Sequence, residues 1–324
     1  MTPPPDGTLL AQHDALLIDL DGVVYVGHDA VPQAVQALRA ARDSGVHTAY
    51  VTNNASRPPS TVAEHLRSFG LDVDDADVVT SAQAGARLIA DRLPAGSTVL
   101  VVGGPGVPEC VAACGLVPVT SAEPTPAAVL MGYGANVCWS DLAEASYAVQ
   151  AGALFVATNG DLSFPTPRGL APGNGTLAGA VAAATGVQPI FAGKPFAPLI
   201  EESIRRVNAV APLMVGDRLD TDIEAADISG IPSLLVFTGV TDVRTLLLAP
   251  SYRRPTYVSA DLRGLALLPS DLVVTSVSSG PDGLGPLRAA TQQAWPRVDQ
   301  GDPDPLRDID VDALQSLVEQ ALER

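Results

Sequence analysis

Two carboxylates one residue apart, Asp19 and Asp21, close the apolar run Ala15-Leu16-Leu17-Ile18 and are followed by Gly22. Like charges at that spacing repel, which costs free energy unless a cation or a proton offsets it. The pair points to a metal site with chemistry rather than to a stability feature. Three further segments carry matching chemistry. Thr52-Asn53-Asn54-Ala55-Ser56 offers a hydroxyl, side-chain amides and main-chain N–H groups that can donate to phosphate oxygens. Gly193-Lys194-Pro195 places a lysine in a connection before a helix-like stretch. Val215-Gly216-Asp217-Arg218-Leu219-Asp220-Thr221-Asp222 adds more carboxylates after another apolar run. Carboxylate oxygens suit a hard cation such as Mg²⁺, which usually takes one or two protein carboxylates plus substrate oxygens. A carboxylate can also attack phosphorus and form an aspartyl-phosphate. A lysine and main-chain donors stabilise charge on the equatorial oxygens. Together the four segments make a phosphoryl-transfer site.

Each segment alone has a plainer reading. The Asp19-x-Asp21 pair fails the Ca²⁺-loop pattern, because the fifth position is Val23. Lys194 alone is a surface lysine, and Asp217 and Asp222 alone are turn and helix-cap residues. What carries the chemical reading is their joint placement, each at the end of a strand-like run or before a helix-like one.

Those runs alternate along the chain. Residues 15–18, 47–52, 98–102, 127–131, 154–157, 212–215 and 232–236 read as strands. Residues 31–44, 58–69, 82–91, 108–114, 139–150, 176–184, 198–207 and 221–228 read as helices. Such alternation predicts an α/β fold with parallel sheets, whose ligands lie at the carboxyl ends of the strands. One sheet would need too many strands, so the expectation is a Rossmann-like core of residues 1–78 and 190–266 with an inserted α/β cap of residues 79–189. Residues 267–324 read as a small C-terminal α/β appendage of unknown role. They contain a strand at 271–277, a turn-rich break at 278–283, and helices at 286–295 and 310–323.

Composition bounds the partners. The chain has 324 residues and a net charge of −17. That balance argues against nucleic acid and anionic membranes, which bind basic patches. A phosphate site must then be made locally positive by a metal, a lysine or helix N-termini. No apolar run approaches the ~18 residues of a membrane span, and the start Met1-Thr-Pro-Pro-Pro shows no basic-then-apolar signal pattern. Cys110 and Cys114 could share a helix face, but no His or second Cys pair completes a zinc site. The expectation is a cytoplasmic protein; a homo-oligomer stays open.

The run Asp-Leu-Asp-Gly-Val-Val-Tyr-Val-Gly (19–27), with Thr-Asn-Asn (52–54), Gly193-Lys194-Pro195 and Gly-Asp-Arg-Leu-Asp-Thr-Asp-Ile (216–223), resembles the motif set of the haloacid dehalogenase superfamily. Within it, the chain is similar to the branch of p-nitrophenyl-phosphatases and of phosphoglycolate and glycerol-3-phosphate phosphatases. Residues 155–166 and 172–175 resemble that branch's α/β (C2-type) cap, and the likeness covers roughly residues 14–265. It implies that Asp19 is the nucleophile and that Asp21 is the general acid and then the base. It implies Mg²⁺ held by Asp19, the main-chain carbonyl of Asp21, and Asp217. Thr52, Asn53, Asn54 and Lys194 would bind the phosphoryl group, with Asp222 behind them orienting Lys194 or a metal-bound water. The second aspartate also separates phosphatases from dehalogenases. A leaving alkoxide needs a proton, and a donor is worth about 10²–10⁴ in rate.

The cap is expected to read the leaving group through Asn159, Asp161, Arg168 and Asn174. Asn159 and Asp161 equally suit an Asx turn, and Asn174 or Thr176 a helix entry. The resemblance implies a small phosphorylated metabolite as substrate, with glycerol 3-phosphate first and phosphoglycolate or another sugar or polyol phosphate next. Few cations in the cap weigh against a second anionic group. A phospho-signalling receiver is far shorter and has no inserted unit, and a catalytically silent binding protein would not need both Asp19 and Asp21.

Overall fold

The structure is a computed structural model that describes residues 6–166, 168–275 and 280–323. The chain forms two compact units, Met1–Tyr50 with Leu66–Val73 and Ile204–Arg324, and Val51–His65 with Asp74–Ser203.

In the first unit a parallel sheet has the strand order Tyr257–Ser259, Ser233–Val236, Pro212–Gly216, Ala15–Asp19 and His47–Thr52, the unit boundary falling inside the last. Ala15 to Ile18 pair in register with Pro212 to Val215. All four are fully buried, as a strand covered on both faces requires. The chain enters the sheet at Ala15–Asp19, and its later strands lie to either side of that first one. Such a reversal of strand order is where open α/β sheets hold ligands, outside the carboxyl ends of the strands. Asp19 ends one of the two central strands and Asp217 follows the other.

The second unit is built on another parallel sheet, ordered Ile190–Phe191, Leu154–Ala157, Ala128–Met131, Thr98–Val102 and Val117–Val119. Helix Trp139–Gln150 and helix Asn174–Thr185 share a core with it, through Ala145, Ala148, Ala178 and Val181. A hairpin, Ser163–Thr166 with Gly169–Pro172, precedes Asn174. The glycine run that begins at Gly103 serves close packing. A side chain on Gly104 would sit 2.6 Å from the main-chain oxygen of Ser56.

The segment after residue 267 corrects the expected α/β appendage. It is helical where described, with Pro269–Leu272, Gly285–Asp299 and Val311–Glu323. Only an isolated bridge at Val273 stands among the described residues where a strand was expected; residues 276–279, the end of that strand and the start of the expected break, lie outside the described residues. Nor is it a separate body. Leu287, Trp295, Leu314 and Val318 share one core with Leu235, Val243, Leu246 and Val258. Arg288, fully buried, pairs with Asp282 and donates to the oxygen of Val258 at 3.0 Å. A buried guanidinium is tolerated because it is paired and hydrogen-bonded.

Candidate active site

The candidate residues fall in two groups, one in each unit. The first is a group of carboxylates. Asp19, half-buried, ends its strand, and the chain turns sharply, with Gly22 N donating to Tyr25 O at 2.8 Å. Asp21 is exposed in that turn. Asp217 follows Pro212–Gly216 and is fully buried. Then a single π-helical turn, Leu219–Ile223, leads into helix Glu224–Ile228. This turn brings fully buried Asp222 back, its Oδ2 accepting from Arg218 N at 3.1 Å. π-Turns of this kind recur at functional sites. The helix expected over residues 221–228 is therefore α-helical only from Glu224, its first residues belonging to the π-turn. One carboxylate oxygen from each of Asp19, Asp217 and Asp222 lies within 4.8 Å of the others. Asp222, expected behind the ligands, is thus placed to be one of them.

The surroundings of Asp217 are shaped for it. Its Oδ2 accepts from Val240 N at 2.6 Å, and its main-chain oxygen accepts from Thr241 N at 3.1 Å. A Cβ on Gly239 would fall 1.9 Å from Oδ2, and one on Gly22, at φ +90°, would fall 2.5 Å away. Both positions therefore exclude side chains. Asp220 turns to Arg218 instead, with bonds of 3.0 and 2.9 Å. Burial works against its charged form, but the guanidinium outweighs that and holds the carboxyl below the usual range.

An all-oxygen set of three carboxylates, two of them fully buried, fits a hard divalent cation. Three like charges so close are mutually repulsive without one.

The second group surrounds Lys194, which is 3 % exposed. Its Nζ donates to Val51 O at 3.3 Å. The Asn53 carboxamide pairs reciprocally with the Lys194 main chain, donating to its oxygen at 3.0 Å and accepting from its nitrogen at 2.8 Å. Thr52 is buried, and its Oγ1 accepts from Asn54 N at 3.1 Å. The exposed Asn54 side chain accepts from both the N–H and the hydroxyl of Ser56. Ser81 was not singled out by sequence. Its hydroxyl donates to Asn53 O at 2.7 Å. The local signal was there: Thr80 and Gln83 form a capping box that fixes Ser81 as the first helical residue.

Of the expected leaving-group contacts, Asn174 is corrected. It is 1 % exposed and donates to the main-chain oxygens of Met131 and Asn159. It has no surface to offer a substrate. Asn159 is buried as well, and its amide donates to Asn53 O at 2.8 Å. Its Oδ1 accepts from Asp161 N at 3.3 Å, which is the Asx turn. Asp161 is half-buried there, and Arg168 is exposed in the turn of the hairpin.

A parallel α/β core with acidic strand ends at its reversal of strand order, joined to a second parallel α/β unit, matches a known class. The chain belongs to the haloacid dehalogenase-like hydrolases. The family described by that name matches residues 16–117, and a second, described as HAD-hydrolase-like, matches residues 191–265. The chain is 48% identical over 258 residues to the D-glycerol 3-phosphate phosphatase of Mycobacterium tuberculosis, covering 80% of this chain and 72% of that protein. It superposes with a TM-score of 0.81 on the crystal structure of a glycerol phosphate phosphatase from the same organism in complex with magnesium, at 43% identity over 88% of this chain and 91% of the other. A p-nitrophenyl phosphatase from Archaeoglobus fulgidus aligns with a TM-score of 0.73 at 29% identity, covering 79% of this chain and 98% of the other.

Proposed function

We propose that this protein hydrolyses a small phosphomonoester, glycerol 3-phosphate first, by way of an aspartyl-phosphate on Asp19. The observation that carries the reading is the trio of Asp19, Asp217 and Asp222 at the carboxyl ends of two adjacent parallel strands. The 48% identity to a D-glycerol 3-phosphate phosphatase supports the choice of alcohol.

In this reading an Asp19 oxygen attacks phosphorus and the bond from phosphorus to the alcohol oxygen breaks. Asp21, exposed beside it in sequence, gives the departing alkoxide its proton. Asp21 then takes a proton from water, whose oxygen attacks phosphorus as the bond from phosphorus to the Asp19 oxygen breaks, freeing phosphate and the Asp19 carboxylate. Thr52, Asn53, Asn54 and Lys194 bind the transferring phosphoryl group, Lys194 supplying positive charge. Mg²⁺, held by Asp19, the Asp21 carbonyl and Asp217 with Asp222 beside them, would offset the repulsion between carboxylate and phosphate. We assign residues 79–189 as the cap that restricts substrate size. We place the protein's work in the cytoplasm. Cys110, Cys114 and Cys138 form no disulfide, and no helix among the described residues is long and apolar enough to cross a membrane.

The test is phosphate release by the purified protein with Mg²⁺ from glycerol 3-phosphate, phosphoglycolate and p-nitrophenyl phosphate. The expected result is Mg²⁺-dependent release, with the highest kcat/KM on glycerol 3-phosphate. Preference for phosphoglycolate would move the substrate assignment, and no release from any of the three would sink the enzymatic reading.

A further inference from the structure

Three asparagines stand in series behind Lys194. Asn174 donates to the main-chain oxygen of Asn159 at 3.0 Å. Asn159 donates to the main-chain oxygen of Asn53 at 2.8 Å. The Asn53 carboxamide in turn holds both the nitrogen and the oxygen of Lys194, at 2.8 and 3.0 Å. Asn159 and Asn174 are 6 % and 1 % exposed, so the bond between them is shielded from water, while Asn53 itself is half-buried. Ser81, fully buried, supplies a second donor to the same Asn53 oxygen at 2.7 Å.

A lysine carries its charge on a flexible four-carbon stem, so the side chain alone does not fix where that charge sits. Two of the points that hold this one are its ammonium on Val51 O and its peptide on Asn53. The Asn53 peptide is fixed by Asn159 and Ser81. Loss of either donor leaves the part-buried Asn53 carbonyl held by one bond instead of two and lets residue 53 shift. Lys194 must follow, because its main chain is bonded to the side chain that moves.

We infer that Asn159 is a positioning residue for Lys194, acting through Asn53, and not a contact to the leaving alcohol. Ser81 shares that task. The inference rests on the proposed role of Lys194 in binding phosphate, and its effect on phosphate affinity is read without turnover.

The experiment compares the wild type with Asn159→Ala and Ser81→Ala, in Mg²⁺. Misplacement of a charged group by about 1 Å costs up to about 10²-fold. Asn159→Ala is expected to lower kcat/KM by roughly ten- to a hundredfold, equally on p-nitrophenyl phosphate and on glycerol 3-phosphate. Calorimetry is expected to show weaker binding of inorganic phosphate, with the Mg²⁺ half-saturation of turnover unchanged. Ser81→Ala, the milder change, should shift phosphate affinity in the same direction by a smaller factor. A loss confined to glycerol 3-phosphate would overturn the inference in favour of a leaving-group contact. Unchanged phosphate affinity in the folded Ser81→Ala protein would also overturn it, whatever becomes of Asn159→Ala. Failure of the enzymatic reading shows separately, as a wild type that turns over neither ester.

Discussion

Gln315 accepts a hydrogen bond from the main-chain N–H of Val243 at 3.1 Å, and this ties the far end of the chain to the loop around Asp217. Val243 opens the helix Val243–Leu247, which follows directly on Val240 and Thr241, whose N–H groups bond Asp217. At the other end of that helix, Trp295 Nε1 donates to Leu246 O at 3.0 Å. A helix has unsatisfied N–H groups at its start and carbonyls at its end, and here residues beyond 267 satisfy some of each. The C-terminal helices therefore belong to the scaffold that holds the buried carboxylate.

Trp295→Phe keeps most of the apolar packing and removes the bond to Leu246. It is expected to lower stability by about 1 kcal/mol, read by urea denaturation, and to raise the Mg²⁺ concentration for half-maximal turnover. Trp295→Ala removes the packing as well and is expected to cost about 3–5 kcal/mol.

The central strands were legible because a buried parallel strand is written as an unbroken apolar run, as in Ala15-Leu16-Leu17-Ile18 and Leu213-Met214-Val215. The acids that follow such runs gave away the carboxylate group for the same reason. Short edge strands were not legible. Val117–Val119 contains Pro118, and Ile190–Phe191 is two residues long, so neither shows a period. The Asx turn at Asn159 was legible, but the donor tasks of the Asn159 and Asn174 amides were hidden. Those amides reach mainly main-chain oxygens, at positions 53, 131 and 159, which any residue type supplies. Sequence patterns register side chains, so a contact to main chain far along the sequence leaves no mark.

Gly239→Ala places a carbon 1.9 Å from Asp217 Oδ2, well inside contact distance. Either the loop or the carboxylate must move, and the 2.6 Å bond from Val240 N goes with it. The variant is expected to lose at least about tenfold in Mg²⁺ affinity, since outer contacts to ligands are worth about 10–100-fold. Calorimetric titration of Mg²⁺ checks this, and wild-type affinity in Gly239→Ala would refute the cradle.

Asp242 caps the helix that Gln315 and Trp295 hold, its Oδ1 accepting from Thr245 N at 2.7 Å. Hydrogen bonding from Thr245 holds its carboxyl below the usual range. A carboxyl depressed in the folded state adds stability above its unfolded pKa of about 3.9, and loses it as pH falls through the lower folded value. Asp242→Ala should therefore cost about 1 kcal/mol at pH 7. The gap to the wild type should close only on acidification below about pH 4, as thermal denaturation across pH 3 to 7 would show. A gap independent of pH would mean that the charge of Asp242 contributes nothing.

Asp19→Asn separates chemistry from architecture. The amide matches the carboxylate in size but is no nucleophile toward phosphorus, so kcat on p-nitrophenyl phosphate should fall by more than about 10³-fold. The fold should survive, because the substitution removes one of three crowded negative charges and relieves repulsion with Asp217 and Asp222. Without metal, the variant is expected to be at least as stable as the wild type. With Mg²⁺ the order should reverse, because a ligand that binds the native state stabilises it in proportion to its affinity, and the variant has lost one anionic oxygen of the set. Melting temperatures of both proteins in chelator and in Mg²⁺ give the four values needed. A variant that keeps substantial turnover would refute Asp19 as nucleophile. An equal Mg²⁺-induced rise in both proteins would instead remove Asp19 from the metal site, leaving Asp217 and Asp222 to hold the ion.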